Sequence, residues 1–186
     1  MARNRSRQLT PDVWPIEPLE ARQFLDAITP AGPEFPVNTH TSGSQQLPAI
    51  AMADDGDFVI VWSGAGQGDD AGIFAQRFDA AGQKRGEEFC VNTHTAGSQT
   101  APVVAMDAAE NLVIAWSGVG PDDPDGIYAR RFDATGTALG DGFRVNTYTE
   151  GKQQAPAITC AANSGFIIAW ESYAQDGSNY GIYAQQ

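Results

Sequence analysis

From residue 48 onward, apolar residues come in short runs that alternate with polar ones or fill both faces, and the runs are separated by Asp, Asn and Gly. Pro48 to Ala53 reads as a first strand, ended by Asp54-Asp55-Gly56-Asp57, whose side chains and glycine favour a turn. Phe58 to Trp62 is apolar at every position, the pattern of a strand covered above and below. Gly72 to Asp79 alternates, with Phe74, Gln76 and Phe78 on one side and Ile73, Ala75 and Arg77 on the other, so at least one face is buried. A glycine-containing turn at residues 82–86 leads to a fourth strand, Phe89 to Thr95. Apolar spacing at i, i+3 and i+4, which a helix would need, is absent.

The set then recurs. Val-Asn-Thr stands at residues 37–39, 91–93 and 145–147, and Trp62, Trp116 and Trp170 keep the same interval of 54 residues. Laying residues 37–90 over 91–144 without a gap matches 28 of 54 positions, which establishes duplication. The third copy keeps Gly151, Gln153, Pro156 and Trp170, gains one residue before Gly181-Ile182-Tyr183, and reaches Gln186 before any counterpart of Phe78-Asp79-Ala80.

Strands joined by short loops form antiparallel meanders. Four of them repeated at a fixed interval predict an all-β fold of antiparallel four-stranded repeats, a β-propeller or propeller-like array with three blades per chain. A sandwich of the immunoglobulin type needs about 100 residues per domain, and a β-solenoid coil is shorter than this unit. The expected organisation is a basic N-terminal segment and linker, residues 1–31, followed by a three-repeat β domain, residues 32–186. Within that domain a strand at 34–41 precedes units 42–95, 96–149 and 150–186. The strand order is offset: a fourth strand comes first and the last unit lacks its own. Three blades are too few to close a ring of about 4–8, so the chain is expected to self-associate, as a homodimer closing a six-blade ring or with other surface components, or to be a fragment of a longer propeller.

Charge narrows the partners. Arg3, Arg5, Arg7 and Arg22 balance Asp12, Glu17, Glu20 and Asp26 in residues 1–31, so the formal net charge of -12 falls on the repeats. An acidic body repels phosphate backbones, which argues against nucleic acid. No apolar stretch approaches the roughly 20 residues of a membrane-spanning helix, and the N-terminus lacks the apolar core of a secretory signal. Cys90 replaces Pro36 and Arg144 of the other copies, and Cys160 replaces Met52 and Met106. They do not recur with the repeat, so both are expected to be unpaired, with Cys160 a small core residue.

The string VNTHTxGSQxxPxxAM…WSG…GI[FY]AxRFDAxG over residues 34–186 resembles a repeat of large bacterial exported and surface proteins, whose commoner form is similar to Trp170-Glu171-Ser172-Tyr173-Ala174-Gln175-Asp176-Gly177. Residues 16–27, IEPLEARQFLDA, resemble the N-terminal LEPR-XLL sorting motif of planctomycete proteins, with Ala21 in place of its proline and Phe24 in place of its first leucine. These resemblances imply an extracellular or cell-envelope location. A short amphipathic helix at Leu19 to Ala27 is the competing reading of the second stretch.

Candidate chemistry is sparse. His40 and His94 share one repeat position, filled by Tyr148 in the third copy, and read as surface residues. Ser63 and Ser117 have no base at fixed spacing, and no GxSxG, HExxH or CxxC element occurs. Asp69, Asp70, Asp123, Asp125 and Asp176, with Asp122, lie in the loops between second and third strands; they read as solvated turns, with weak calcium binding as the alternative. Asn38, Asn92 and Asn146 recur in every copy, as a repeated structural hydrogen bond would require. The three tryptophans end apolar runs and read as packing between blades rather than a sugar-stacking platform. No catalytic, cofactor-binding or metal residue is assigned, and no cofactor is expected. The expected function is a non-enzymatic extracellular or cell-surface structural and binding module. The alternatives are a propeller-type carbohydrate-active enzyme, for which Glu110, Glu150 and Glu171 are candidates because each is unique to its copy, or a fragment of a larger surface protein.

Overall fold

A computed structural model describes residues 32–161 and 165–186; the N-terminal segment with its sorting-motif resemblance lies outside the described residues. Of two units, Met1–Phe35 and Pro36–Gln186, the described strands all belong to the second. They are β1 (Gln45–Met52), β2 (Phe58–Gly66), β3 (Asp69–Phe78), β4 (Phe89–Cys90), β5 (Gln99–Met106), β6 (Leu112–Gly118), β7 (Gly126–Phe132), β8 (Phe143–Arg144), β9 (Gln153–Cys160), β10 (Phe166–Tyr173) and β11 (Tyr180–Gln185).

Three antiparallel sheets result, ordered β1-β2-β3-β4, β5-β6-β7-β8 and β11-β10-β9. These are three blades of a β-propeller. The innermost strands β1, β5 and β9 adjoin one another in sequence, so the blades fan about that side. One apolar core lies between blades 1 and 2, joining Val59, Val61, Ile73 and Val91 to Leu112, Ile114, Trp116 and Phe132. A second joins Val113, Ala115, Ile127 and Val145 to Ile168 and Trp170. Trp62, Trp116 and Trp170 are all buried.

The strands refine or depart from expectation in three ways. In the first blade the third strand is buried on both faces, beyond the one face that its alternation required: Ile73, Phe74, Ala75 and Gln76 are each almost fully enclosed, because β3 has a blade on one side and its own ring stacking, Phe74 on Trp62, on the other. The fourth is only two residues long, since past Val91 the chain leaves the sheet and the side chain of Asn92 takes over the pairing that the backbone would have made. The first begins earlier and carries a bulge between Gln46 and Ala49, repeated in β5 between Thr100 and Val103. Proline at 48, 102 and 156 lacks a ladder donor, and the residue before each, Leu47, Ala101 and Ala155, takes a positive φ of 50–54°.

Candidate functional site

At the end of the sheets where β2 and β6 finish, the recurring asparagine builds a buried polar junction. Asn92 Oδ1 accepts the N–H of Ile73 at 2.7 Å; its Nδ2 donates to Asp69 Oδ2 at 2.7 Å, to the carbonyl of His94 at 2.9 Å and to Gln99 Oε1 at 3.3 Å. Asn146 repeats this with Ile127, Asp123, Tyr148 and Gln153 at 2.7, 2.8, 2.8 and 3.2 Å. Each junction therefore ties the edge of one blade to the first strand of the next. The junction uses the main-chain carbonyl at 94 and 148, so histidine in one copy and tyrosine in the other build the same bond.

The aspartates of these loops are not all solvated turns. Asp69 and Asp123 are buried, with one carboxylate oxygen on asparagine and the other on the N–H two residues on, from Ala71 at 2.9 Å and Asp125 at 3.0 Å. Gly72 and Gly126 follow because a Cβ there would meet that carboxylate at 2.6 and 3.0 Å. Asp70, Asp125 and Asp176 are exposed, and among the described residues no three His, Cys, Asp or Glu side chains gather as a metal site.

Beside the first junction a cleft of about 430 Å³ opens between blades 1 and 2, lined by His40, Gln46, Ser63, Asp70, Ser98 and Thr100, among others. The Ser63 hydroxyl donates to the Gln46 carbonyl at 3.2 Å, so it is held by the neighbouring strand rather than by a base. In the third copy the Ser63 position holds Glu171, half-buried on β10 and paired across to Gln154 on β9, whose Nε2 donates to Glu171 Oε2 at 2.9 Å. Of the three unique glutamates, Glu150 precedes β9 and so lies at the same end as Glu171. Glu110 is at the opposite end, in the β5–β6 turn with φ of 61° and 3.9 Å from Arg85. They do not form one cluster, but Glu171, Glu150, Asp70 and Asp125 share the end where the inner strands start.

The remaining reactive groups are quiet. Cys90 and Cys160 are free. Burial, with the Asp69 charge second, pushes the Cys90 thiol up to about 11, so it is a poor nucleophile near neutrality. Burial also raises Cys160, which is partly covered against the second core. Tyr128 is pushed up to about 12 by burial and by Asp122 and Asp123; its hydroxyl donates to the Asp123 carbonyl at 2.8 Å.

No family model and no curated protein matches the chain. Among solved structures, the Hadza microbial sialidase Hz136 superposes with a TM-score of 0.52 at 12% identity, over 75% of this chain and 37% of that one. The endo-arabinase of Bacteroides thetaiotaomicron gives 0.46 at 13% identity, covering 77% and 54%, and the GH43 endo-arabinanase of Bacillus licheniformis 0.46 at 15%, covering 79% and 55%. The chain thus spans between about a third and just over half of the structures it resembles. The propeller fold agrees with the repeat. The expectation of a non-enzymatic structural and binding module, and of no enzyme, is corrected: the structure that shares the fold at a TM-score of 0.52 is named as a sialidase, which backs the alternative of a propeller-type carbohydrate-active enzyme over the non-enzymatic reading. The physical reason is that glycosidic chemistry uses carboxylates brought together by folding from separate strands, so the lack of a short catalytic motif excludes nothing of this kind.

Proposed function

We propose that the chain forms three blades of a propeller-type carbohydrate-active enzyme, acting at the end where Glu171 lies. One observation carries this reading: a half-buried carboxylate replaces the serine of the repeat on a strand beside the innermost one. Glycoside cleavage needs an acid to protonate the leaving oxygen and a second carboxylate as base or nucleophile. Glu171, held in place by the Gln154 amide, is the carboxyl positioned for the acid role. Asp70 is the exposed carboxylate of the cleft at the same end. Carboxylates outnumber free cations there, Arg144 being engaged by Asp122 at 3.1 Å, so a neutral glycan fits better than an anionic one.

An extracellular setting belongs to the same reading and draws on the resemblance of residues 16–27 to a sorting motif and of the repeats to bacterial surface proteins. So does membership of a larger surface assembly, given the share of the sialidase that the chain spans. The test is a panel of chromogenic neutral glycosides and a sialoside, run on wild type and Glu171→Gln. Hydrolysis of a neutral glycoside that falls by roughly 100-fold or more in kcat with the variant supports the proposal. Glutamine can keep the contact to Gln154, so the fold is preserved. Absence of turnover across the panel, or full activity in the variant, overturns it.

A further inference from the structure

The polar junction that closes twice within the chain is also present as two separated halves. At one end Asn38 precedes Gln45 by seven residues, as Asn92 precedes Gln99 and Asn146 precedes Gln153. Its Nδ2 keeps the local bond to the His40 carbonyl at 2.7 Å, but among the described residues no aspartate reaches it. At the other end Asp176 Oδ1 accepts the Ser178 N–H at 3.1 Å, as Asp69 and Asp123 do two residues on. Its Oδ2 lies 2.9 Å from where a Cβ on Gly181 would be, matching 2.6 Å at Gly72 and 3.0 Å at Gly126. Ile182 follows in the place of Ile73 and Ile127. The carboxylate and the strand that receive an asparagine in the other blades are thus in place, and among the described residues no asparagine side chain bonds to that carboxylate.

The apolar surfaces are split in the same way. Ile182 is 75% exposed where Ile73 and Ile127 are 0%, and Ile167 is 46% exposed where Val59 is 0% and Val113 is 5%. On the first blade Ile50 and Met52 are 58% and 62% exposed, whereas their counterparts Val104 and Met106 pack against the core between blades. The bare face of blade 3 repeats the residues that blades 1 and 2 turn towards the blade after them, and the bare face of blade 1 repeats those turned towards the blade before. Each is the mate of the other.

We propose that a second copy of this chain docks head to tail on these faces. Residues 36–41 of one copy add to the open edge of β11 in the other, Asn38 entering the site of Asp176 and the Ile182 N–H, and blade 1 covers Ile167 and Ile182. This is strand addition with a side-chain key, main-chain pairing supplying affinity and Asn38 the register. Made twice about a two-fold axis, the contact closes six blades, within the usual range of about 4–8.

The test is the solution mass of the full chain by sedimentation or light scattering, for wild type, Asn38→Ala, Asp176→Ala and an equal mixture of the two variants. Wild type is expected at twice the 19.8 kDa chain mass. Either variant weakens the dimer by at least about tenfold in Kd, while circular dichroism stays that of wild type. The mixture regains much of the loss, because a mixed pair has one intact junction. A wild-type monomer at about 100 µM, a larger assembly, or a dimer indifferent to both substitutions overturns the proposal. None of these readouts depends on glycoside hydrolysis, so the two proposals fail separately.

Discussion

At the residue scale the decisive group is the recurring asparagine. Its amide satisfies a strand N–H and a buried carboxylate at once, and Asn146 and Asp123 are both almost wholly enclosed. Asn146→Ala strands a buried charged acceptor and a backbone donor, so it should destabilise by about 3–4 kcal/mol, beyond the 1.5–3 or so of an ordinary charged hydrogen bond. Urea unfolding checks this; a loss below about 1 kcal/mol would show that water replaces the amide. The asparagine was legible from its recurrence at 54-residue intervals. Its partner was not: Asp69 sits in an Asp- and Gly-rich stretch with the composition of an ordinary turn. Only folding brings it to a residue 23 positions away.

At the element scale the strands were legible because alternation and turn residues act over a few positions. Their ends were not, because β4 stops where a side chain replaces the ladder, a long-range event. The bulge is intermediate. A proline inside a strand at 48, 102 and 156 signals an interruption, yet the left-handed residue before it needed the structure. Ala101, with φ of 50°, occupies a conformation that costs an L-residue about 1–2 kcal/mol. Ala101→Gly relieves this and loses about 0.5–1 kcal/mol to unfolded-chain entropy. The relief is the larger, so the variant should be more stable by roughly 0.5 kcal/mol, measured as a rise in the denaturation midpoint with unchanged slope. A fall would mean that the bulge is not strained.

At the scale of the whole molecule the period specifies the architecture, whereas Glu171 stands out in the sequence only as one of three glutamates unique to their copies, and folding alone sets it beside Gln154 and apart from Glu110. Single-copy residues carry no pattern, and their importance depends on which strand end they reach. The same scale decides how two copies would meet. Each carries a formal net charge of -12, so joining them brings like-charged bodies within a screening length, about 10 Å at 0.1 M salt and 3 Å at 1 M. The contacts proposed to hold them are apolar, through Ile50, Met52, Ile167 and Ile182, with one carboxylate facing an amide rather than a cation. Salt therefore weakens the repulsion and leaves the attraction intact. The dimer Kd should fall as NaCl rises from about 0.02 to 0.5 M, followed by sedimentation velocity. A Kd that rises over that range would identify an interface held by ion pairs, and the strand-and-asparagine junction would then not be what joins the copies.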